Sequence, residues 1–349
     1  MRIDLLRSAA VVAATAFGVL LLSSVGRDAS AGPTLDTLKA RGYVQCGVNT
    51  GVSGFSIPDS QGNWKGLDVD MCRGIAAAVF GDASKAKYTP LTAQQRFTAL
   101  QSGEIDVLLR NSTVTISRDS SLGLNYTAMN FYDGQGFVVR KDLKISSFKQ
   151  LDGATICVAQ GTTHELNLAD TFRANNIAYK PVVIENQDRM YDAFFGGRCD
   201  AMTQDLSALA AAVTTQTKNP GDYVILPDRI SKEPLAPFVR HGDDQWFDIV
   251  KYVFMAMVEA EEKGITQANV DRMAESGGPD IKRFLGVGQG GYGQGLGLDD
   301  KFAYNIVKQV GNYGESFDRN VGKGSPLKLE RGLNDLWTRG GLMYAIPFR

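Results

Sequence analysis

One pattern occurs twice in this chain, 94 positions apart: Phe97 to Asn111 reads FTALQSGEIDVLLRN, and Tyr191 to Asp205 reads YDAFFGGRCDAMTQD. Each copy has an aromatic residue, Ala two positions on, Gly four after that, Asp three later, and then a short apolar run ending on a polar side chain. That order describes a helix end, a turn and a strand. A chain that writes it twice is expected to form two similar α/β lobes, and parallel strands in such lobes offer their carboxyl ends to a crevice. Asn111 and Asp205 are then expected at equivalent strand tips on opposite walls.

The order along the chain agrees with this expectation. Strands are predicted at 43–48, 87–90 and 105–109, separated by helices at 69–80 and 93–101, and the scheme restarts with strands at 155–159, 182–184 and 200–203 and helices at 164–175 and 189–195. Such alternation is the signature of β-α-β units in mostly parallel sheets flanked by helices. Extended segments near 138–141 and 235–241 predict two crossovers forming a two-strand hinge. The expected division is lobe 1 at 32–139 plus 240–349 and lobe 2 at 140–239. Within lobe 1, an amphipathic helix over 245–262 precedes an extension from residue 285 with a glycine-rich run, a helix at 299–310, a polar glycine-rich loop and a last helix around 327–337. The run contains G-x-G-x-x-G at Gly286, Gly288 and Gly291. It lacks the preceding strand that a dinucleotide turn requires, which argues against a nucleotide cofactor.

Residues 1–31 read as a secretory signal peptide: Arg2 and Arg7, an apolar run of 14 from Ala9 to Leu22, and Ala29-Ser30-Ala31 before a cleavage point at Ala31/Gly32. The run is shorter than the roughly 20 residues needed to span a bilayer. In an exported chain four cysteines predict two disulfides, with three possible connectivities. Cys46 and Cys72 fall in one lobe and Cys157 and Cys199 in the other, so the expected pairs are Cys46–Cys72 and Cys157–Cys199, one within each lobe. A bridge between Cys46 and Cys157 would oppose hinge motion. No CxxC spacing occurs and the chain has only two His, so the sequence supports no metal site or redox chemistry. The net charge of −1 argues against nucleic acid and against an electrostatically held membrane surface.

After the first repeat comes Asn111-Ser112-Thr113-Val-Thr115-Ile-Ser-Arg118. A buried carboxylate is best held by the fork of an Arg, completed by hydroxyls and backbone N–H groups, and Thr113 and Arg118 offer that combination; a surface Arg beside a polar loop is the alternative. In the second lobe Gln160-Gly161-Thr162-Thr163 leads into a helix at His164, a turn suited to an anion, with Thr163 also a good N-cap. Asp205, a carboxylate with no cation beside it in sequence, needs a positive partner when the cleft closes, although it could also cap the next helix. Arg118 with the Thr163 turn for a carboxylate, and Asp205 with Asn111 for an ammonium, together describe an α-amino acid. Phe55 is a candidate apolar wall for the ligand side chain, or core.

These residues resemble the periplasmic substrate-binding proteins for polar amino acids, the extracytoplasmic components of ABC importers. The resemblance runs through GFSIPDSQGNWKGLDVD, ALQSGEIDVLL, the Asn111–Arg118 turn, VAQGTT and MTQD, and covers about residues 35–265. It implies the two-lobed periplasmic-binding-protein fold, a free L-amino acid as ligand, a membrane permease as partner, no cofactor and a monomer. It further implies that Arg118, Thr113 and the Thr163 turn bind the α-carboxylate while Asp205 and Asn111 receive the α-ammonium, with Ser112, Thr162 and His164 beside them. The extension and the RNST turn are similar to those of general L-amino-acid binders. GVSG before Phe55 stands where lysine, arginine and histidine binders place clamping aromatics. A dehydratase-like enzyme on the same scaffold would need a positioned acid or base; His164 is the candidate, with no acidic partner evident in sequence. A sensor for a membrane receptor would use the same binding chemistry.

Overall fold

The computed structural model describes residues 32–349; the expected signal peptide and its cleavage point at Ala31 lie outside the described residues. Helix α1 (Pro33–Arg41) begins with Pro in its first turn and stops at Gly42, whose left-handed backbone returns an N–H to the Leu38 carbonyl. Strand β1 (Val44–Asn49) follows, then a small hairpin of β2 (Ile57–Pro58) and β3 (Trp64–Lys65), helix α2 (Leu67–Phe80), strand β4 (Ala86–Leu91), helix α3 (Arg96–Ser102) and strand β5 (Val107–Leu108). After helix α4 (Ile116–Ser120) and strand β6 (Leu124–Tyr126), the chain crosses to the second lobe through β7 (Phe131–Asp133).

There it forms β8 (Gln135–Arg140), β9 (Thr155–Ala159), α5 (Thr163–Ala174), β10 (Lys180–Ile184), α6 (Gln187–Phe195), β11 (Ala201–Asp205), α7 (Leu206–Thr215) and β12 (Tyr223–Ile225). It returns through β13 (Glu233–Leu235), which pairs antiparallel with β7, and re-enters the first sheet as β14 (Phe238–Arg240). The sheet orders are β4-β1-β5-β14-β6 and β10-β9-β11-β8-β12. Each sheet therefore has its repeat strand, β5 or β11, between the strand that opens its β-α-β series, β1 or β9, and a strand that follows a crossover, β14 or β8.

The sheets are mostly parallel, as expected: β1 and β9 make parallel pairs with both neighbours, and one strand in each sheet, β14 or β8, runs antiparallel to its neighbours. The antiparallel strands come directly from the crossovers and so enter each sheet from the opposite end. Two other expectations need correction. For the same reason the boundaries at 139/140 and 239/240 shift: residues 135–140 pair within the second sheet and 238–240 within the first. The two disulfides are those expected, Cys46–Cys72 joining β1 to α2 and Cys157–Cys199 joining β9 to the residues just before β11.

The second correction concerns the extension. The stretch expected to be a polar loop contains helix α12 (Tyr313–Asn320), started by a capping box in which Asn312 and Glu315 satisfy each other's backbone N–H. The helix expected at 327–337 is instead two short 3-10 turns, Gly332–Asn334 and Trp337–Arg339. Its polar side chains are committed to tertiary partners: Arg331 forms a two-pronged pair with Glu261, and Asn334 exchanges hydrogen bonds with the backbone of Tyr132. Helices α8 (Asp244–Glu262), α9 (Val270–Ser276), α10 (Pro279–Phe284) and α11 (Phe302–Gln309) join α12 in one continuous core with α2 and β1, including Ile75, Val253, Ile306 and Phe317. The glycine-rich run follows α10 as a tight turn, where a Cβ on Gly286 would lie 1.8 Å from the Asp300 carbonyl oxygen.

Asp70 on α2 fastens the extension. Its buried carboxylate accepts from Ser316 Oγ (2.7 Å), Arg319 Nε (3.0 Å) and Nη2 (2.7 Å), and Asn320 Nδ2 (2.6 Å). Removing one partner of a buried charged network leaves the others unsatisfied. Asp70→Ala is expected to destabilise the protein by about 2–3 kcal/mol, read by urea denaturation followed by circular dichroism; a loss below about 0.5 kcal/mol would show that the extension is held by apolar packing alone.

Candidate functional site

The two strand tips of the repeat face each other. Past β5 the chain reaches Asn111, whose amide donates across the lobes to Asp205 Oδ2 over 3.3 Å. Asn111 has a φ of 31°, in the left-handed region that Asn tolerates better than most residues, and its backbone N–H donates to Asp68. Another bond crosses the same gap, from the Asn49 amide to Gln187 Oε1 (3.2 Å), and the Thr113 and Thr163 hydroxyl oxygens approach to 3.4 Å. The lobes are therefore closed on one another. The space left between them is about 20 Å³, lined by Arg96, Arg110, Asn111, Thr113, Thr163, His164 and Gln187 among others. That is room for about one water.

Asp205 occupies the N-cap position of α7 but makes no side-chain cap bond, which leaves its carboxylate facing the cleft. There it meets His164, with Nε2 2.9 Å from Oδ1. Asp205 thus has a basic neighbour and His164 an acidic one, neither of them close in sequence. The partners are 41 residues apart and meet because β9, which leads into α5, lies beside β11 in the sheet. Burial of the His164 ring pulls its pKa down, but the charge and hydrogen bond of Asp205, with help from Glu233, outweigh burial and raise it.

Thr162, not Thr163, is the N-cap of α5: its hydroxyl accepts from the Glu165 N–H. Thr163 is released from capping and donates to Glu233 Oε2 at 2.8 Å. Thr113 donates to the same oxygen at 2.5 Å, and its carbonyl accepts from Arg118 Nη1 at 2.8 Å. Arg118 is buried beside this group on α4, whose N-cap is Thr115. Ser112 is fully buried, donating to the Arg110 carbonyl and accepting from Arg96 Nη1. Phe55 is not brought to the cavity. It lies in the first-lobe core with its ring edge-on to Phe131, 5.1 Å between centroids.

Sequence reasoning missed two arginines and one glutamate. Arg96, Arg110 and Arg118 have relative exposures of only 3%, 4% and 8%, and their charges act on one another. Burial brings the pKa of Arg110 down to about 10 despite Asp68, and that of Arg118 to about 10 despite Glu233 and Asp205. Arg96 is lowered further, first by burial and then by Arg118 and Arg110, and its Nε has no hydrogen-bond partner. Arg110 could have been found as the polar residue just inside the strand tip, but Glu233 sits in an unremarkable SKEPL stretch.

The family of bacterial extracellular solute-binding proteins, family 3, matches residues 44–267. The chain belongs to that family. Within it, the general L-amino acid-binding periplasmic protein AapJ of Rhizobium johnstonii is 57% identical over 96% of this chain and 98% of its own. The glutamate/glutamine/aspartate/asparagine-binding protein BztA of Rhodobacter capsulatus is 53% identical over 95% and 98%. A solved periplasmic binding protein from Brucella ovis, with glutathione bound, superposes with a TM-score of 0.88 at 55% identity, covering 90% of this chain and 99% of that one.

Acidic groups under the cleft give the protein a specific response to pH. Burial raises the Asp68 carboxyl to about 7, against hydrogen bonding from the Asn111 N–H and the charge of Arg110. With its folded pKa above its unfolded one near 3.8, this group holds more protons in the folded state, so its contribution to stability falls as pH rises from about 4 to 7. Asp68→Asn keeps the acceptor without the charge. Its stability relative to wild type is expected to increase over that window by on the order of 3 kcal/mol and then level off, measured by urea unfolding at pH 4, 6 and 8; a pH-independent difference would refute this.

Proposed function

We propose that this protein captures free L-amino acids between its lobes and delivers them to the membrane permease of an ABC importer, as a binding protein and not an enzyme. Export through cleavage at Ala31/Gly32 would place it in the periplasm, where its two disulfides persist. The observation that carries the reading is the placing of opposite-sign groups across one closed cleft: Arg118 with the Thr113 and Thr163 hydroxyls on one side, Asp205 bonded to Asn111 on the other. A zwitterion bridging them has its carboxylate at the guanidinium and its ammonium at Asp205. Because these groups come from both lobes, the ligand binds the closed form better than the open one and so favours closure. Turning a 1:99 equilibrium into 99:1 requires roughly 5.5 kcal/mol of differential affinity.

Broad recognition follows from gripping the ends that all α-amino acids share. Arg96 and Arg110, lining the same cavity, add a preference for side chains ending in a carboxylate or an amide oxygen. The names of the Rhizobium and Rhodobacter relatives fit both parts of this reading. Glutathione, held by the Brucella relative, has a free α-amino acid end on its γ-glutamyl group.

Arg118→Ala is expected to weaken amino-acid binding at least about a hundredfold while leaving the circular dichroism spectrum unchanged; near-normal calorimetric titration would refute the assignment. In a thermal-shift screen of the twenty L-amino acids, glutamate, glutamine, aspartate and asparagine are expected to give the largest shifts. Arg96→Met should erase the advantage of glutamate over leucine. An unchanged ranking would remove Arg96 from side-chain selection.

A further inference from the structure

Glu233 lies on the returning hinge strand β13, in register with Asp133 on β7. Its carboxylate is 1% exposed by residue and fully engaged. Oε2 accepts from Thr113 of the first lobe and Thr163 of the second, while Oε1 accepts from the Asn167 amide at 2.9 Å and from the Ser231 hydroxyl. The two threonine hydroxyls are the donors that the binding reading assigns to the substrate carboxylate. Glu233 also acts electrostatically on Arg118, the third member of that group, favouring its charged form. One oxygen of Glu233 therefore has the partners a substrate carboxylate would need, and it tethers the lobes while doing so.

Resting on the binding reading above, we propose that Glu233 is a built-in competitor for the substrate carboxylate, a hinge-strand side chain that satisfies the Thr113 and Thr163 hydroxyls in the closed protein and must swing away when substrate takes them. Two carboxylates sharing these donors would repel one another at close range. His164, Asp205 and Glu233 already bring a ring nitrogen and two carboxylate oxygens within 4.8 Å of each other, so a substrate carboxylate entering beside them would meet two acids at close range. The cavity of about 20 Å³ is too small for an amino acid, so neighbouring side chains or the lobes must move before substrate can enter. The consequence is twofold. Competition lowers substrate affinity, which favours release at the permease, and the cross-lobe bonds of Glu233 hold the lobes together without substrate, so that buried hydroxyls and Arg118 keep partners in every state.

The test compares wild type, Glu233→Ala, Glu233→Gln and Arg118→Ala, each purified free of bound amino acids, by calorimetric titration with L-glutamate and small-angle X-ray scattering before and after its addition. Glu233→Ala is expected to bind L-glutamate about tenfold more tightly and, without it, to show a larger radius of gyration than wild type. Glu233→Gln, which retains the shape and loses the charge, should fall between and serves if the alanine variant does not fold. Weaker binding in both Glu233 variants would make Glu233 a direct substrate contact, and unchanged affinity with an unchanged radius would make it a structural hydrogen-bond acceptor; either overturns the inference. A wild-type affinity in Arg118→Ala would overturn the binding reading instead, and the scattering comparison without L-glutamate would still decide whether Glu233 tethers the lobes.

Discussion

Three guanidinium groups held out of water within one cleft set the terms for this structure. Arg96, Arg110 and Arg118 repel one another where little solvent screens them, and each is retained only because carboxylates and carbonyls answer it. Asp68 stands near Arg110, and Asp205 and Glu233 near Arg118. The Phe97 ring lies between two of the cations, 4.8 Å from the Arg96 guanidinium carbon and 5.1 Å from that of Arg118. The aromatic residue that opens the first repeat is thus a platform for charge as well as a packing element. Its counterpart Tyr191 spends its hydroxyl on Gln204, so the two copies share a backbone while their chemistry differs.

That charge balance explains why the walls of the cleft are not interchangeable. The first lobe provides the arginines and the second contributes His164 and Asp205. The hinge strands supply Asp133 and Glu233, which are paired in register. Burial together with the Asp205 charge raises the Asp133 carboxyl to about 7. A cleft of this kind favours a ligand bearing both signs, since an ion of one sign would upset a balance already made.

The extension beyond residue 285 belongs to the same mechanical unit as the hinge. Tyr313 donates to the Asn130 carbonyl, Asn334 exchanges bonds with the backbone of Tyr132, and Phe317 stacks on Phe131 at 6.1 Å. These contacts grip β7 and the residue before it from the first-lobe side. Beyond them, Asp133 accepts from Ser207 and the Gly134 carbonyl from the Leu206 N–H, so the chain is tied to the second lobe within a few residues. Gly54 and its loop, on the rim of the cleft, likewise rest on Val321 and Leu327 of the extension.

Much of the fold was legible because its signals are local. The repeat, the apolar strand runs, the helix stops at glycine and the cysteine positions each follow from short-range periodicity, and the two-lobe order and both disulfide pairs could be read from them. The placing of Asn111 opposite Asp205 was legible for the same reason, as the repeat puts both at strand ends. The extension resisted reading, since Arg331 and Asn334 are satisfied by Glu261 and Tyr132, about 70 and 202 residues away. What only the tertiary structure decided is which polar groups share the dry space: that His164 meets Asp205, that Thr162 caps and so frees Thr163, that Arg96 joins Arg118, and that Glu233 reaches the threonines from the hinge. Local periodicity determines which way a side chain leaves its own strand or helix, whereas the strength of a charge depends on neighbours and burial that arise only when distant segments pack together.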